Sequence, residues 1–119
     1  MIRYPHWIHQ IKEIAVIHEL RTYAVPEGRM PEVLSLFNEV LFDVFGRSNI
    51  KVVSFWTKRD SNALVYICEF ESEAAKAAAW EAFYADPAWI SAWKIRSDPK
   101  DPMVTEVSSE VLVPSPFPS

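Results

Sequence analysis

The most regular hydrophobic pattern of the chain lies between residues 31 and 46. Pro31 suits the first turn of a helix, where its missing N–H leaves no hydrogen bond unmade. Gly46 is predicted to end that helix. Apolar residues recur between them at the three- and four-residue spacings of an α-helix, at Val33, Leu34, Leu36, Phe37, Val40, Leu41, Val44 and Phe45.

Four segments rich in β-branched and aromatic residues predict strands, at residues 14–24, 52–58, 63–70 and 104–113. The four residues between the second and third segments form turns readily, so these two strands are predicted to make a hairpin.

A second helix is predicted over the alanine-dense residues 74–84, with Ser72 as its N-terminal cap. Asp86 and Pro87 interrupt it, and a shorter helical turn that carries Trp89 and Trp93 follows.

The predicted order of elements is βαββαβ, the arrangement of ferredoxin-like α+β folds with a four-stranded antiparallel sheet. Residues 1–13 are interpreted as an N-terminal arm with a short helix around residues 7–12. Residues 14–119 are interpreted as one domain that ends in an extended, proline-rich tail over residues 114–119.

The strands predict that both faces of the sheet are apolar. Two helices can cover one face only, and a face open to water should alternate apolar with polar residues. Instead, the pattern predicts apolar side chains on both faces. On the second strand, Val53 and Phe55 point to one face, and Val52 and Trp56 point to the other. On the third strand, one face carries Leu64, Tyr66 and Phe70, and the other carries Val65 and Ile67. Face-to-face stacking of two copies would bury the second face, which predicts a homodimer. The alternative is a monomer in which the arm and the tail cover that face.

Composition excludes several classes of function. The 119 residues carry a net charge of −4, and no cluster of Lys or Arg indicates binding to nucleic acid or to an anionic membrane. Two glycines are too few for a phosphate-binding loop. Cys68 is the single cysteine, and the chain begins without a secretory pattern, so a reducing, cytoplasmic location is expected.

Several motifs resemble the NIPSNAP family and occur in the order expected for it. They are Ile17-His18-Glu19-Leu20-Arg21-Thr22-Tyr23, Pro26-Glu27-Gly28-Arg29-Met30-Pro31, Ile50-Lys51-Val52-Val53-Ser54-Phe55-Trp56-Thr57, Asn62-Ala63-Leu64-Val65-Tyr66, the alanine-rich helix up to Trp80, Ala85-Asp86-Pro87 with Trp89, and Leu112-Val113-Pro114-Ser115-Pro116-Phe117. The resemblance implies a dimeric α+β barrel, a superfamily that includes cofactor-independent monooxygenases, cyclases, isomerases and haem-dependent enzymes. His18 departs from the family pattern, in which a tyrosine or another ring is expected.

Glu19, Arg21 and Tyr23 alternate along the first strand and therefore share one face of the sheet. A carboxylate, a guanidinium and a phenol in a row can bind and polarise a substrate carbonyl or enolate, with Arg21 holding the anion. The alternative is a structural ion pair, within the chain or across a dimer, against which Tyr23 packs.

His18 lies on the opposite face of the same strand and is the first candidate for a general base. It can also be a hydrogen-bonded core residue, or project into a pocket between the helices and the sheet. Glu69, an acid within an apolar strand, is the second candidate base. The aromatic residues Trp56, Tyr66, Trp80, Phe83 and Trp89 are candidate walls of a substrate cavity, although core packing explains each of them as well.

No metal site is expected. His6 and His9 have no carboxylate or cysteine close to them in the sequence, and a haem-ligating role for His18 follows only from the superfamily resemblance. A buried cysteine is usually inert, so Cys68 is not expected to be a nucleophile.

The sequence thus favours a small-molecule enzyme that works without a cofactor on a hydrophobic, aromatic or polyketide-like substrate. The reaction would be an isomerisation, cyclisation, lyase step or cofactor-free oxygenation, with His18 or Glu69 as base and Arg21 with Tyr23 at the oxyanion. The alternative is a non-catalytic ligand-binding or protein-interaction protein, in which these polar residues only lock the dimer.

Overall fold

Four antiparallel strands form one sheet in the order β2-β3-β1-β4 in the computed structural model, which describes residues 16–117. The strands are β1 (Ile17–Ala24), β2 (Lys51–Thr57), β3 (Ala63–Phe70) and β4 (Glu106–Leu112). The helices are α1 (Met30–Leu36), a π-helical turn (Phe37–Leu41), α2 (Phe42–Arg47), α3 (Glu73–Ala85) and α4 (Pro87–Arg96). The predicted α+β, ferredoxin-like βαββαβ fold is confirmed. The predicted arm, and the first residues of the first predicted strand, lie outside the described residues.

Alternation along β1 and β3 shows which side of the sheet the helices cover. Ile17, Glu19 and Arg21 are buried on β1, as are Leu64, Tyr66, Cys68 and Phe70 on β3. These residues form the helix face of the sheet. Their neighbours in the sequence, which include Leu20, Val65 and Ile67, are only half-buried and point the other way, onto what we call the open face.

Phe37 is the centre of the core between the sheet and the helices. Its side chain is 1% exposed, and its ring lies 5.1 to 6.0 Å from the rings of five neighbours, namely Tyr23, Phe42, Phe45, Phe55 and Tyr66. The π-helical turn begins at this residue and interrupts the regular 3.6-residue period of the first helical segment. The predicted stripe is only partly buried, because Leu34, which precedes this turn, is exposed.

The prediction that Gly46 ends the first helical segment is wrong. The helix continues to Arg47, and Asn49 adopts the left-handed conformation, with φ of 62°. Asparagine tolerates this conformation better than most residues, and the turn lets the N–H of Ile50 donate to the carbonyl of Phe45 at 2.9 Å. Asn49 thus takes the terminating role expected of the glycine.

A β-bulge corrects the faces predicted for the second strand. Val52 pairs with Cys68 and Ser54 with Ile67, so Val53 is the extra residue between them. Val52 and Phe55 consequently lie on the helix face, and Trp56 lies on the open face opposite Val65. The strict alternation assumed from the sequence fails at this one residue.

Side-chain caps set the bounds of the last two helices. The Ser72 hydroxyl accepts a hydrogen bond from the N–H of Ala75 at 3.0 Å, as predicted. Asp86 accepts from the N–H of Ala88 at 2.9 Å and begins α4, which is a ten-residue helix rather than a short turn. The tail up to Phe117 continues beyond β4 outside helix and sheet, also as predicted.

Candidate functional site

An ion pair is buried in β1, one of the two central strands. Glu19 is 2% exposed, and its Oε2 accepts a hydrogen bond from Nη1 of Arg21 at 2.9 Å. The hydroxyl of Ser109 donates to the same oxygen, and Nε1 of Trp80 donates to Oε1 at 2.7 Å. Every oxygen of this buried carboxylate therefore has a donor, as burial of a charge requires.

Two tyrosines and a tryptophan complete the surroundings of Arg21. Its Nε donates to the hydroxyl of Tyr66 at 2.9 Å, and Nη2 lies 3.4 Å from the hydroxyl of Tyr23. The two phenol oxygens are hydrogen-bonded to each other at 2.8 Å. The guanidinium carbon lies 4.2 Å from the centre of the Trp80 ring, a cation–π contact. We call Glu19, Arg21, Tyr23, Tyr66, Trp80 and Ser109 the Glu19–Arg21 network.

The ionisation of this network is fixed by its own contacts. Burial alone raises the pKa of Glu19, but the hydrogen bonds from Ser109, Trp80 and Arg21 outweigh it, and the pKa is lowered. Burial lowers the pKa of Arg21, yet the neighbouring Tyr66, Tyr23 and Glu19 raise it overall. Burial keeps the pKa of Tyr66 well above its ordinary value. An ionised pair next to a neutral phenol is the result, which favours the structural ion pair within one chain.

A second set of charged residues lies on the open face. Nε2 of His18 is 3.2 Å from Oε1 of Glu69, its direct neighbour across β1 and β3. Nζ of Lys51, opposite Glu69 on β2, lies 3.0 Å from Oε2. We call these residues the His18–Glu69–Lys51 row. The hydrogen bond from Lys51 is the main cause of a lowered pKa at Glu69, to which His18 also contributes.

The sheet separates the two sets of candidate residues. His18 and Glu69 are brought together, and so are Glu19, Arg21 and Tyr23, but the groups lie on opposite faces. The combination predicted from the sequence, a base at His18 or Glu69 acting with an oxyanion holder at Arg21 and Tyr23, is not assembled. His18 also lies away from the helices and does not project into a pocket beneath them.

A cavity of about 830 Å³ opens at the end of the sheet, between α3 and the turn that joins α2 to β2. One side is an alanine stripe on α3, and the polar residues are mostly on the opposite side. Its lining contains Glu69 but neither His18 nor Arg21, and consists of Val16, Gly46, Arg47, Ser48, Asn49, Ile50, Lys51, Glu69, Phe70, Glu71, Ala75, Ala78, Ala79 and Ala82.

The aromatic residues predicted as cavity walls do not line this cavity. Tyr66 is completely buried in the core, whereas Trp56 is 56% exposed on the open face. Trp80, Phe83 and Trp89 form a continuous aromatic cluster, with ring centres 5.3 Å and 4.9 Å apart. Packing accounts for the positions of these three rings.

Sequence reasoning missed three residues of the two polar groups and the cavity. Ser109 lies opposite Arg21 on β4, and Lys51 lies opposite Glu69 on β2, so the strand register was needed to find them. Arg47 lies in a helix end that the sequence placed at Gly46. The alanine-dense helix was recognised, but nothing in its composition indicated a cavity beside it.

The described residues contain no group of three or more His, Cys, Asp or Glu placed to hold a metal ion. His6 and His9 lie outside this part of the chain. Cys68 is buried, and burial raises the pKa of its thiol to about 12, which opposes a nucleophilic role. Within residues 16–117, none of the helices has the length and apolar character needed to span a bilayer.

The Glu19→Gln variant tests whether the buried pair stabilises the fold. Removing one charge of a buried pair leaves the other uncompensated, so we expect a loss of about 3–5 kcal/mol in the free energy of unfolding at pH 7. The pKa of Glu19 is lowered by folding. Its contribution to the free energy of unfolding is therefore complete above the ordinary pKa of 4.5 and is lost as the pH falls below that value. The free energies of unfolding of wild type and variant, measured by urea unfolding, should therefore become more similar below that pH.

Glu39→Gln is the matched control, because Glu39 is exposed and pairs with Arg96 at the surface. Solvent screens that pair, so this variant should change stability far less. A Glu19→Gln protein as stable as Glu39→Gln across the pH range would contradict a stabilising role for the buried pair.

The NIPSNAP family model matches residues 18–119. A NIPSNAP family protein of unknown function from Agrobacterium tumefaciens has 22% identity and a TM-score of 0.76, with 98% of this chain and 97% of that chain covered. An uncharacterized NIPSNAP domain protein from Burkholderia xenovorans has 26% identity and a TM-score of 0.73, with 87% and 98% covered.

A more distant structure shares the fold. SnoaB, a cofactor-independent oxygenase from Streptomyces nogalater, has 18% identity and a TM-score of 0.58, with 84% of this chain and 93% of that chain covered. A search of curated proteins found no match. Because the family model spans most of the chain and agrees with the fold and with the motifs along β1, the protein belongs to the NIPSNAP family.

Proposed function

We propose that this protein is a small-molecule enzyme that removes a proton from a hydrophobic carbonyl compound, of aromatic or polyketide-like type, without a bound cofactor. The observation that carries the proposal is the cavity of about 830 Å³, whose lining includes Glu69, the hydrogen-bond partner of His18. The substrate would bind in the cavity and extend past Glu69 to the open face, where His18 would act as the general base.

The cavity has the size and lining of a ligand site. Ligand pockets commonly enclose about 300–1,000 Å³ and combine apolar walls with a few polar groups. Here Ile50, Phe70 and the alanine face of α3 supply apolar surface. Arg47 and Lys51 bring positive charge into the same lining, and Arg47 uses only its Nε and Nη2 atoms on Asp86. A flat apolar molecule with one carbonyl oxygen fits this distribution.

Hydrogen bonding divides the roles of His18 and Glu69. The lowered pKa of Glu69 keeps it ionised near neutral pH, and an ionised carboxylate only accepts hydrogen bonds. Nε2 of His18 must therefore carry the proton that is shared with Glu69, which leaves Nδ1 free to accept one. Histidine is the side chain best suited to proton exchange near neutral pH, so Glu69 is assigned the orienting role and not that of the base.

The proposed step transfers one proton. The C–H bond next to the substrate carbonyl breaks, a new N–H bond forms at Nδ1 of His18, and the electron pair moves to the carbonyl oxygen as an enolate. Arg47 and Lys51 are cationic groups in the cavity lining and would stabilise that oxygen. Return of the proton to another atom gives an isomerisation. Attack of the enolate carbon on an electrophilic carbon of the same molecule gives a cyclisation, loss of a leaving group from the β-carbon gives a lyase step, and reaction with dioxygen gives an oxygenation.

The fold supports this class of chemistry without selecting the reaction. SnoaB is described as a cofactor-independent oxygenase, and it shares the architecture of this chain. The Glu19–Arg21 network, which was the candidate oxyanion holder, is assigned to stability in this proposal, because its members form hydrogen bonds with one another. The expected cytoplasmic location and the absence of a cofactor stay predictions.

We also propose that two copies associate through their open faces. Leu20, Val65 and Ile67 lie there half-buried, and Trp56 is 56% exposed. Two sheets stacked at a spacing of about 10 Å would bury these side chains. Stacking would also cover His18, whose side chain is 29% exposed, and so shield the proposed base from bulk water.

The general-base role is tested by exchange of carbon-bound protons. With 2-tetralone, an aromatic ketone that enolises readily, the protein should accelerate deuterium uptake from heavy water, followed by NMR. General acid–base catalysis typically contributes about 10²–10⁴-fold, so His18→Gln should lower the rate at least about 100-fold and Glu69→Gln about 10-fold.

Glu81→Gln is the control, because Glu81 is an exposed glutamate on α3 that is neither on the open face nor in the cavity lining. It should leave the exchange rate unchanged. Wild-type protein that does not exceed the buffer rate, or a His18→Gln variant as active as wild type, would favour the non-catalytic alternative.

The dimer is tested by placing a charge on the open face. Ile67→Lys should convert the dimer to a monomer of 13.7 kDa in light scattering, because a buried ammonium at a sheet–sheet contact is unpaired. Leu34→Lys, on an exposed position of α1, should leave the dimer intact. A wild-type protein that is monomeric at micromolar concentration would refute the stacking of the sheets.

A further inference from the structure

We infer that two copies of the chain stack about a two-fold axis that runs parallel to the strands, between β3 and β1, so that the partner's Glu69 faces His18. The site of the proposed base is then completed by a carboxylate from the second chain. This arrangement rests on the open-face dimer proposed above and specifies which residues of the two chains meet.

Strand pairing arranges the side chains of the open face in rows that cross all four strands. The first is the His18–Glu69–Lys51 row, which Leu112 on β4 completes. In the order β2, β3, β1 and β4, the second row consists of Ser54, Ile67, Leu20 and Glu110. The third row, in the same order, consists of Trp56, Val65, Thr22 and Ser108.

Aligned stacking of two identical faces can take two forms. An axis parallel to the strands places each row on the same row of the partner in reverse order. In this parallel-axis form, β3 faces the partner's β1, and β2 faces the partner's β4. An axis along the second row instead places each strand on its own copy and exchanges the first row with the third. We call this the row-axis form.

The charges of the first row favour the parallel-axis form. There the carboxylate of Glu69 faces the partner's His18, whose ring can donate a hydrogen bond to it. In the row-axis form, Glu69 faces the partner's Val65. Its carboxylate would then lose water at the contact without gaining a polar group from the second chain, which is unfavourable.

The second row favours the same form through a buried hydroxyl. Oγ of Ser54 is the one buried side-chain oxygen or nitrogen without a hydrogen-bond partner among residues 16–117. Glu110, at the other end of the row, is exposed and forms no hydrogen bond or ion pair within the same residues. In the parallel-axis form the partner's Glu110 faces Ser54, and its carboxylate can accept the hydroxyl proton. In the row-axis form, Glu110 faces the partner's Glu110, and like charges repel.

The partner's Glu69 adds a function to the proposed site. Nε2 of His18 donates to Glu69 of its own chain, which leaves Nδ1 to take the proton from the substrate. The N–H bond formed at Nδ1 gives His18 a positive charge and a second donor. The partner's Glu69 lies on the side from which it can accept that hydrogen bond. The cation formed in the reaction is thus held between two carboxylates.

Ser54 and Glu110 provide the test, because neither belongs to the proposed catalytic machinery. They lie three strands apart, about 14 Å within one chain, so solvent screens their interaction there. Ser54→Glu places a like charge against the partner's Glu110. It should raise the dissociation constant of the dimer at least about 30-fold in analytical ultracentrifugation. Adding Glu110→Lys makes the facing charges opposite and should return that constant to within about threefold of wild type.

Ser54→Glu combined with Glu106→Lys is the matched control. Glu106 is an exposed glutamate on the same strand and face as Glu110, but it lies opposite Ala24, two rows further along. The lysine there is too far from the partner's substituted residue 54 to compensate its charge, so the dimer should stay weak.

Ser54→Lys distinguishes the two forms of stacking. In the parallel-axis form its ammonium faces the partner's Glu110, so the dissociation constant should fall. In the row-axis form the two new lysines face each other and the constant should rise, which would overturn the inference.

A dimer that Ser54→Glu leaves unchanged, or that Glu110→Lys does not restore, would also overturn this arrangement of the chains. Wild-type protein that is monomeric would instead refute the open-face dimer itself. Neither measurement uses substrate turnover, so both are independent of the proposed enzyme activity.

Discussion

The buried ion pair between Glu19 and Arg21 is the interaction on which the architecture depends. Two charges in a central strand are tolerated only if each is fully hydrogen-bonded. Their partners come from three further elements: Tyr66 on β3, Trp80 on α3 and Ser109 on β4. The network therefore fixes the register of both neighbouring strands against β1 and the position of α3 above them. A change in any one of these elements would leave a buried charge without its partner.

This constraint also locates the chemistry. The residues of the Glu19–Arg21 network occupy the helix face of β1. Groups that can exchange protons with a ligand must therefore lie elsewhere. The alternation of β1 places His18 on the other face, and antiparallel pairing places Glu69 beside it. The position of α3, held by Trp80, leaves its alanine stripe facing an open cavity with Glu69 in the wall. The buried network and the proposed base thus lie on opposite faces of one strand.

The sequence predicted the fold well because local signals agreed with the global arrangement. The helical period, the strand composition and the Ser72 cap each point to an element that exists. Prediction failed where tertiary contacts override local preference. The π-helical turn at Phe37, the left-handed Asn49 and the bulge at Val53 depend on packing that no short window of sequence contains. The site was harder for the same reason: alternation placed His18 and Arg21 on opposite faces, but only the register revealed Ser109 and Lys51, and only the packing of α3 revealed the cavity.

The proposed function requires that the ligand binds against the alanine face of α3 and not against the Glu19–Arg21 network. A crystal structure of the protein soaked with 2-naphthol, which resembles the enol form of 2-tetralone, measures this directly. We expect a ring in contact with Ala75, Ala78 and Ala82, with its oxygen turned toward Arg47 or Lys51. A ring stacked on the helix face beside Arg21 and Tyr23, with the cavity left free, would contradict it.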